Sequence, residues 1–149
     1  MSVKKQLFEE CQLYVEKREQ TIREIMTSNK KALLSETKSS AGDKHETGRA
    51  MLQLEMEKAS QQIELVQQMK EVLHRINIED SSDVVRLGSL VHTDKATYYL
   101  SISIGAVSVE NKMYFVISSS SPIGKLLLGK KVNDAIHFNG QEITITQIF

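Results

Sequence analysis

The chain has one cysteine, one proline, no tryptophan and no net charge, and each shortage removes a class of protein. A single thiol, Cys11, excludes an intramolecular disulfide and leaves a structural zinc site without its usual sulfur ligands. Cys11 falls on an apolar stripe and reads as a small buried hydrophobe rather than a nucleophile. The four histidines, His45, His74, His92 and His137, show no zinc-ligand spacing. No apolar run approaches the roughly 18 residues that span a bilayer. The first ten residues are polar and helix-like, unlike a secretory signal, so a reduced cytoplasmic setting with no membrane partner is expected. Nineteen basic side chains balance nineteen acidic ones, so overall charge offers no hold on nucleic acid. No P-loop, nucleophile elbow or dinucleotide fingerprint occurs, and no independent active site is expected.

What is present divides into two halves of different period. Only Gly42 and Gly48 interrupt the first 80 residues, whereas five glycines and Pro122 follow residue 85. In the first half Leu7, Cys11, Tyr14, Arg18, Ile22, Ile25, Asn29 and Leu33 recur at steps of three and four. A second series runs Leu52, Met56, Ala59, Ile63, Val66, Lys70, Leu73 and Ile76. Each resembles the seam of a coiled coil, and a short polar turn between them predicts an antiparallel helical hairpin over residues 1–78 with its tip near 40–48. The second half, 84–149, alternates with period two. Val84–His92, Thr97–Ile104, Lys112–Ser118, Ala135–Phe138 and Glu142–Phe149 read as strands of a small antiparallel sheet. Asn139-Gly140 predicts a two-residue hairpin, since both turn positions want positive φ. Ser121 and Pro122 predict the start of one helix, Leu126, Leu127 and Leu128 its apolar face and Gly129 its end. The expected fold class is therefore α+β, with a polar, serine-rich hinge over residues 79–83.

The tip carries the chemistry. Asp43 and Glu46 are three residues apart, which puts both on one face of the opening turn of the second helix. Such acids complement the helix dipole and imitate a capping box. At the free end of an arm, the same two carboxylates could also help hold a magnesium ion whose remaining ligands come from another molecule. Lys38, Lys44 and Arg49 make the surroundings slightly positive, which suits a solvated face or a nearby phosphate backbone.

Gly42-Asp43-Lys44-His45-Glu46 between two coiled-coil helices resembles the tip of the bacterial Gre-type transcript cleavage factors. Ser121-Pro122-Ile123-Gly124-Lys125-Leu126-Leu127-Leu128-Gly129-Lys130 is similar to a motif of their C-terminal FKBP-like domain. The resemblance extends over essentially the whole chain in order and architecture. It implies a monomeric transcription elongation factor that binds bacterial RNA polymerase and inserts its hairpin into the secondary channel. There it stimulates the polymerase's own cleavage of backtracked RNA, meeting the nascent 3′ end only indirectly. It implies no tightly bound cofactor, a magnesium ion shared with the polymerase and held by Asp43 and Glu46, and docking through Ser121, Pro122 and Ile123. Lys38, Lys44 and Arg49 would lie near RNA. The chain departs from the family where Thr47-Gly48-Arg49-Ala50 follows the tip, Gly48 costing about 1 kcal/mol relative to alanine. It departs again over residues 105–111, where Glu110 is the one acid of a stretch that is usually acidic in the family.

Three other readings use the same residues. A protein of this shape could occupy the channel and inhibit the polymerase without promoting cleavage. An FKBP-like isomerase would need an aromatic pocket, whereas Tyr98, Tyr99, Tyr114, Phe115 and Phe138 read as packing for the sheet. A plain coiled-coil scaffold would leave Asp43 and Glu46 as helix caps.

Overall fold

Two long proline-free stretches rich in Glu, Gln, Lys and Met become two helices, α1 (Val3–Lys38) and α2 (Gly42–His74). The computed structural model describes residues 2–38 and 42–149, with the side chains of 36–38 and 42–46 outside the described residues. The β-branched second half forms β1 (Leu90–Thr93), β2 (Thr97–Ser101), β3 (Gly105–Val109) and β4 (Lys112–Ser118). The short helix α3 (Pro122–Leu127), β5 (Ala135–Phe138) and β6 (Gln141–Ile148) follow. The architecture is a two-helix hairpin followed by a six-stranded sheet with one short helix, an α+β arrangement. No helix among the described residues is long and apolar enough to cross a membrane.

The chain divides into two compact units, and the boundary cuts across the hairpin. One unit joins Met1–Tyr14 to Glu71–Phe149, and the other is Val15–Lys70. The ends of the long helices thus belong with the sheet.

In the sheet unit the strand order is β3-β4-β2-β1-β6-β5. The sheet is mixed rather than purely antiparallel, because β2 and β4 run parallel with Tyr98 opposite Phe115 and Leu100 opposite Ile117. The intervening β3 makes this possible, returning along the outer edge of β4. A two-residue turn links them, with Glu110 at φ 52° and Asn111 at φ 64°. At the other edge Asn139 (φ 51°) and Gly140 (φ 76°) close the β5–β6 hairpin as their residue types predict.

One face of this sheet carries the main core. Leu127 and Ile123 of α3 are buried with Val85, Val91, Leu100, Ile136, Ile143 and Ile145. Leu126 and Leu128, expected on the same apolar face, are 38% and 39% exposed, because six helical residues offer room for little more than one inward stripe. Alternation along β2 turns Tyr99 and Ser101 away from Leu100, and Ser101 Oγ donates to Cys11 Sγ at 3.6 Å. Cys11 and Leu7 of α1 are both fully buried within this unit. Burial also pushes the Cys11 thiol pKa up, consistent with an inert packing role.

The unit Val15–Lys70 is a two-helix pair held along one seam. On α2 the seam falls where the sequence puts it, with Ala59 and Val66 buried and Leu52, Met56, Ile63 and Lys70 half-buried. On α1 it holds at Ile22, Asn29 and Leu33, which are buried or half-buried, and is displaced by one residue at three other positions. Val15, Glu19 and Met26 face inward, while Arg18 and Ile25 are exposed. A strict heptad drifts around a straight helix, and successive steps of four from Cys11 to Val15 and Glu19 take up that drift.

Asn29 also lies in the seam, 6% exposed, and its Nδ2 has no hydrogen-bond partner among the described residues. A buried amide without a partner costs about 1–3 kcal/mol, and a seam asparagine commonly fixes register at the expense of stability. Asn29→Leu is therefore expected to stabilise this pair by about 1 kcal/mol in urea unfolding of the full chain. A destabilised variant would instead mean that the amide is satisfied.

Candidate functional site

α1 ends at Lys38 and α2 begins at Gly42, and residues 39–41 lie outside the described residues. Asp43 and Glu46 therefore belong to the opening residues of α2, on the backbone positions that the spacing predicts. Their side chains, with those of Lys38 and Lys44, lie outside the described residues. Arg49, one turn further along α2, is half-buried. Two hard oxygen donors fit magnesium by type but fall short of a complete coordination sphere. No group of three or more His, Cys, Asp or Glu side chains that could hold a metal occurs among the described residues.

Behind the tip, the arm is pinned by a polar contact that sequence reasoning missed. Lys70 Nζ donates to Glu19 Oε2 at 2.6 Å, Gln67 Nε2 donates to the same oxygen at 3.3 Å, and Arg23 lies 3.4 Å from it. Lys70 is a charged member of the α2 series, and an acid near the opposing seam is the signal that would have found its partner. The hydrogen bond from Lys70 holds the Glu19 carboxyl below the usual carboxylate range, and the charges of Lys70 and Arg23 act in the same direction.

That shift fixes a sign. A carboxyl whose folded pKa is depressed contributes stability that is complete above its unfolded value, near 4.3. The contribution is lost as pH falls through the lower folded value. The arm is expected to lose stability on acidification below about pH 4, and Glu19→Gln to remove that part of the dependence. Unfolding midpoints of the two proteins at about pH 3 and about pH 7 check this. An unchanged pH dependence in the variant would show that Glu19 is not linked to folding.

The second predicted patch is the start of α3. Ser121 Oγ accepts from Gly124 N at 3.1 Å and donates to Ser118 O at 2.6 Å, so the hydroxyl is engaged in capping. Pro122 occupies the first turn and is exposed, while Ile123 is buried at 7% and packs into the core. A Cβ on Gly124 would run into the carbonyl oxygen of Ser118, which explains glycine at this buried position. The accessible surface here therefore comes from Pro122, Lys125 and Leu126, with Ser121 and Ile123 setting its shape. Glu110, the single acid of the stretch 105–111, accepts from Gln6 Nε2 at 3.2 Å.

Aromatic residues are spent on packing. Tyr99 and Tyr114 are buried, and Tyr98 meets Phe115 with ring centroids 6.0 Å apart. His92 stands edge-on to Phe149 at 5.4 Å, and burial, followed by the nearby Lys112 charge, lowers its pKa.

Compared with protein-family models and with curated proteins, the chain matches none.

Proposed function

We propose that this chain is a cytoplasmic, monomeric transcription elongation factor of the Gre type, acting on bacterial RNA polymerase. The observation that carries the reading is the joining of a two-helix hairpin, with Asp43 and Glu46 at the opening of α2, to an α+β sheet unit bearing the Ser121-Pro122 helix start. That is the order and architecture which the two sequence motifs imply. In this reading the second half, with its FKBP-like motif, docks at the rim of the secondary channel through the surface around Pro122. The hairpin enters the channel and brings its tip to the polymerase's catalytic centre.

The chemistry then divides between the partners. A magnesium ion shared with the polymerase would supply activation of the attacking water and stabilisation of the leaving oxygen. Asp43 and Glu46 supply carboxylate oxygens that complete a site the polymerase holds only in part. Lys38, Lys44 and Arg49 offset the negative charge which the tip carboxylates and the RNA phosphates bring together. The protein has no catalytic cycle of its own and needs no tightly bound cofactor.

A halted, backtracked elongation complex with labelled RNA tests this. Added wild-type protein is expected to accelerate shortening of the RNA from its 3′ end. Binding to the polymerase with slower cleavage and slower elongation would turn the reading to an inhibitor, and failure to bind would end it.

A further inference from the structure

Away from the tip, the loop that follows α2 forms a small polar cleft of about 150 Å³ within the sheet unit. Its charged lining is three cations, Lys4, Arg75 and Arg86, against one carboxylate, Asp80. Ser81, Ser82 and Ser89 complete the polar wall.

One carboxylate faces three cations, and only Arg86 is paired with it. Lys4 Nζ donates to the backbone carbonyl of Asp80 at 2.8 Å rather than to its carboxylate. Arg86 Nη2 donates to Ser81 O at 3.3 Å and approaches Asp80 Oδ2 only to 3.7 Å. Arg75 makes no ion pair among the described residues. The cleft thus holds an excess of two positive charges. Burial, and then the nearby Arg86 charge, depress the Lys4 pKa, with the Asp80 charge opposing them.

The frame is built in advance. Asn77 Oδ1 accepts from Glu79 N at 3.0 Å, Ser82 Oγ from Val84 N at 3.1 Å, and Ser89 Oγ from Arg86 N at 2.9 Å. Gly88, at φ +89°, turns the chain beneath it. Volume limits the occupant. About 150 Å³ is the share of roughly five waters, well below the roughly 300 Å³ at which pockets begin to enclose drug-sized ligands.

We infer that this cleft binds a phosphate or phosphoryl group, with Lys4, Arg75 and Arg86 as its cationic ligands. Two guanidinium groups suit a tetrahedral oxyanion with several acceptor oxygens better than a halide. The site is separate from the tip carboxylates and does not depend on the polymerase reading.

The test uses the full chain, with backbone amides of residues 75–89 followed by NMR at constant ionic strength. Inorganic phosphate is expected to shift these amides saturably, with chloride and acetate giving no saturation. Arg75→Gln and, separately, Lys4→Gln are each expected to weaken phosphate binding about tenfold while leaving the remaining spectrum in place. Arg86, which donates to Ser81 O, is left intact, and Arg75→Gln is the decisive variant because Lys4 also holds the loop through Asp80 O. Adenosine monophosphate binding more tightly than inorganic phosphate would assign the site to a phosphoryl group on a larger molecule, and equal binding to free phosphate. No saturable shift, equal shifts with acetate, or undiminished binding in the Arg75→Gln variant would overturn the inference.

Discussion

Leu127→Ala is expected to destabilise the sheet unit by about 3 kcal/mol, the usual cost of deleting a fully buried leucine side chain. Leu127 is 0% exposed and is the main anchor of α3 on the sheet, among Val85, Leu100, Ile136 and Ile145. A helix of six residues has little stability of its own, so loss of its anchor should also release the Ser121 cap. Leu126→Ala on the same helix is the matched control. That side chain is 38% exposed, and the change should stay within about 0.5 kcal/mol. Urea unfolding of both variants decides the matter, since equal losses would mean that α3 faces the sheet differently.

The second large effect is expected at the tip. Asp43→Asn with Glu46→Gln keeps shape and removes both charges, so it should lower factor-stimulated cleavage by about a hundredfold or more. Affinity for the polymerase should change less than about twofold, because the surface around Pro122 is untouched. The single variants are expected to lose nearly as much as the pair, since two ligands of one ion act as a unit. Single-turnover cleavage rates, set beside a binding curve for each variant, separate a loss of chemistry from a loss of docking.

Much of the fold was legible because local chemistry and tertiary structure agree. Asn139-Gly140 adopts the positive φ values that its residue types favour, and Ser121-Pro122 caps α3 as the pair suggests. The α2 seam is buried or half-buried at every expected position from Leu52 to Ile76. Elsewhere the sequence signals were weaker. β3 was not expected, because Gly105, Ala106 and Ser108 carry little strand propensity and its turn is Glu110-Asn111 rather than a glycine pair. Val84–His92 read as one strand, yet it is broken where Ser89 N donates to Arg86 O and only Leu90–Thr93 joins the sheet. Val84 instead bridges to Lys131. The parallel β2–β4 pair has no local signature, since pairing order is decided by tertiary packing. At the site, the i, i+3 spacing of Asp43 and Glu46 was readable, whereas the Glu19–Lys70 contact depends on the register of two helices and was not.

The most direct test of the central claim is a magnesium titration of RNA cleavage in a backtracked elongation complex, with wild-type protein, with the Asp43→Asn, Glu46→Gln variant and with no factor. If the tip completes a shared metal site, the wild type shifts half-maximal cleavage to lower magnesium, and the variant follows the factor-free curve while still bound. Identical magnesium curves for wild type and variant would contradict the account.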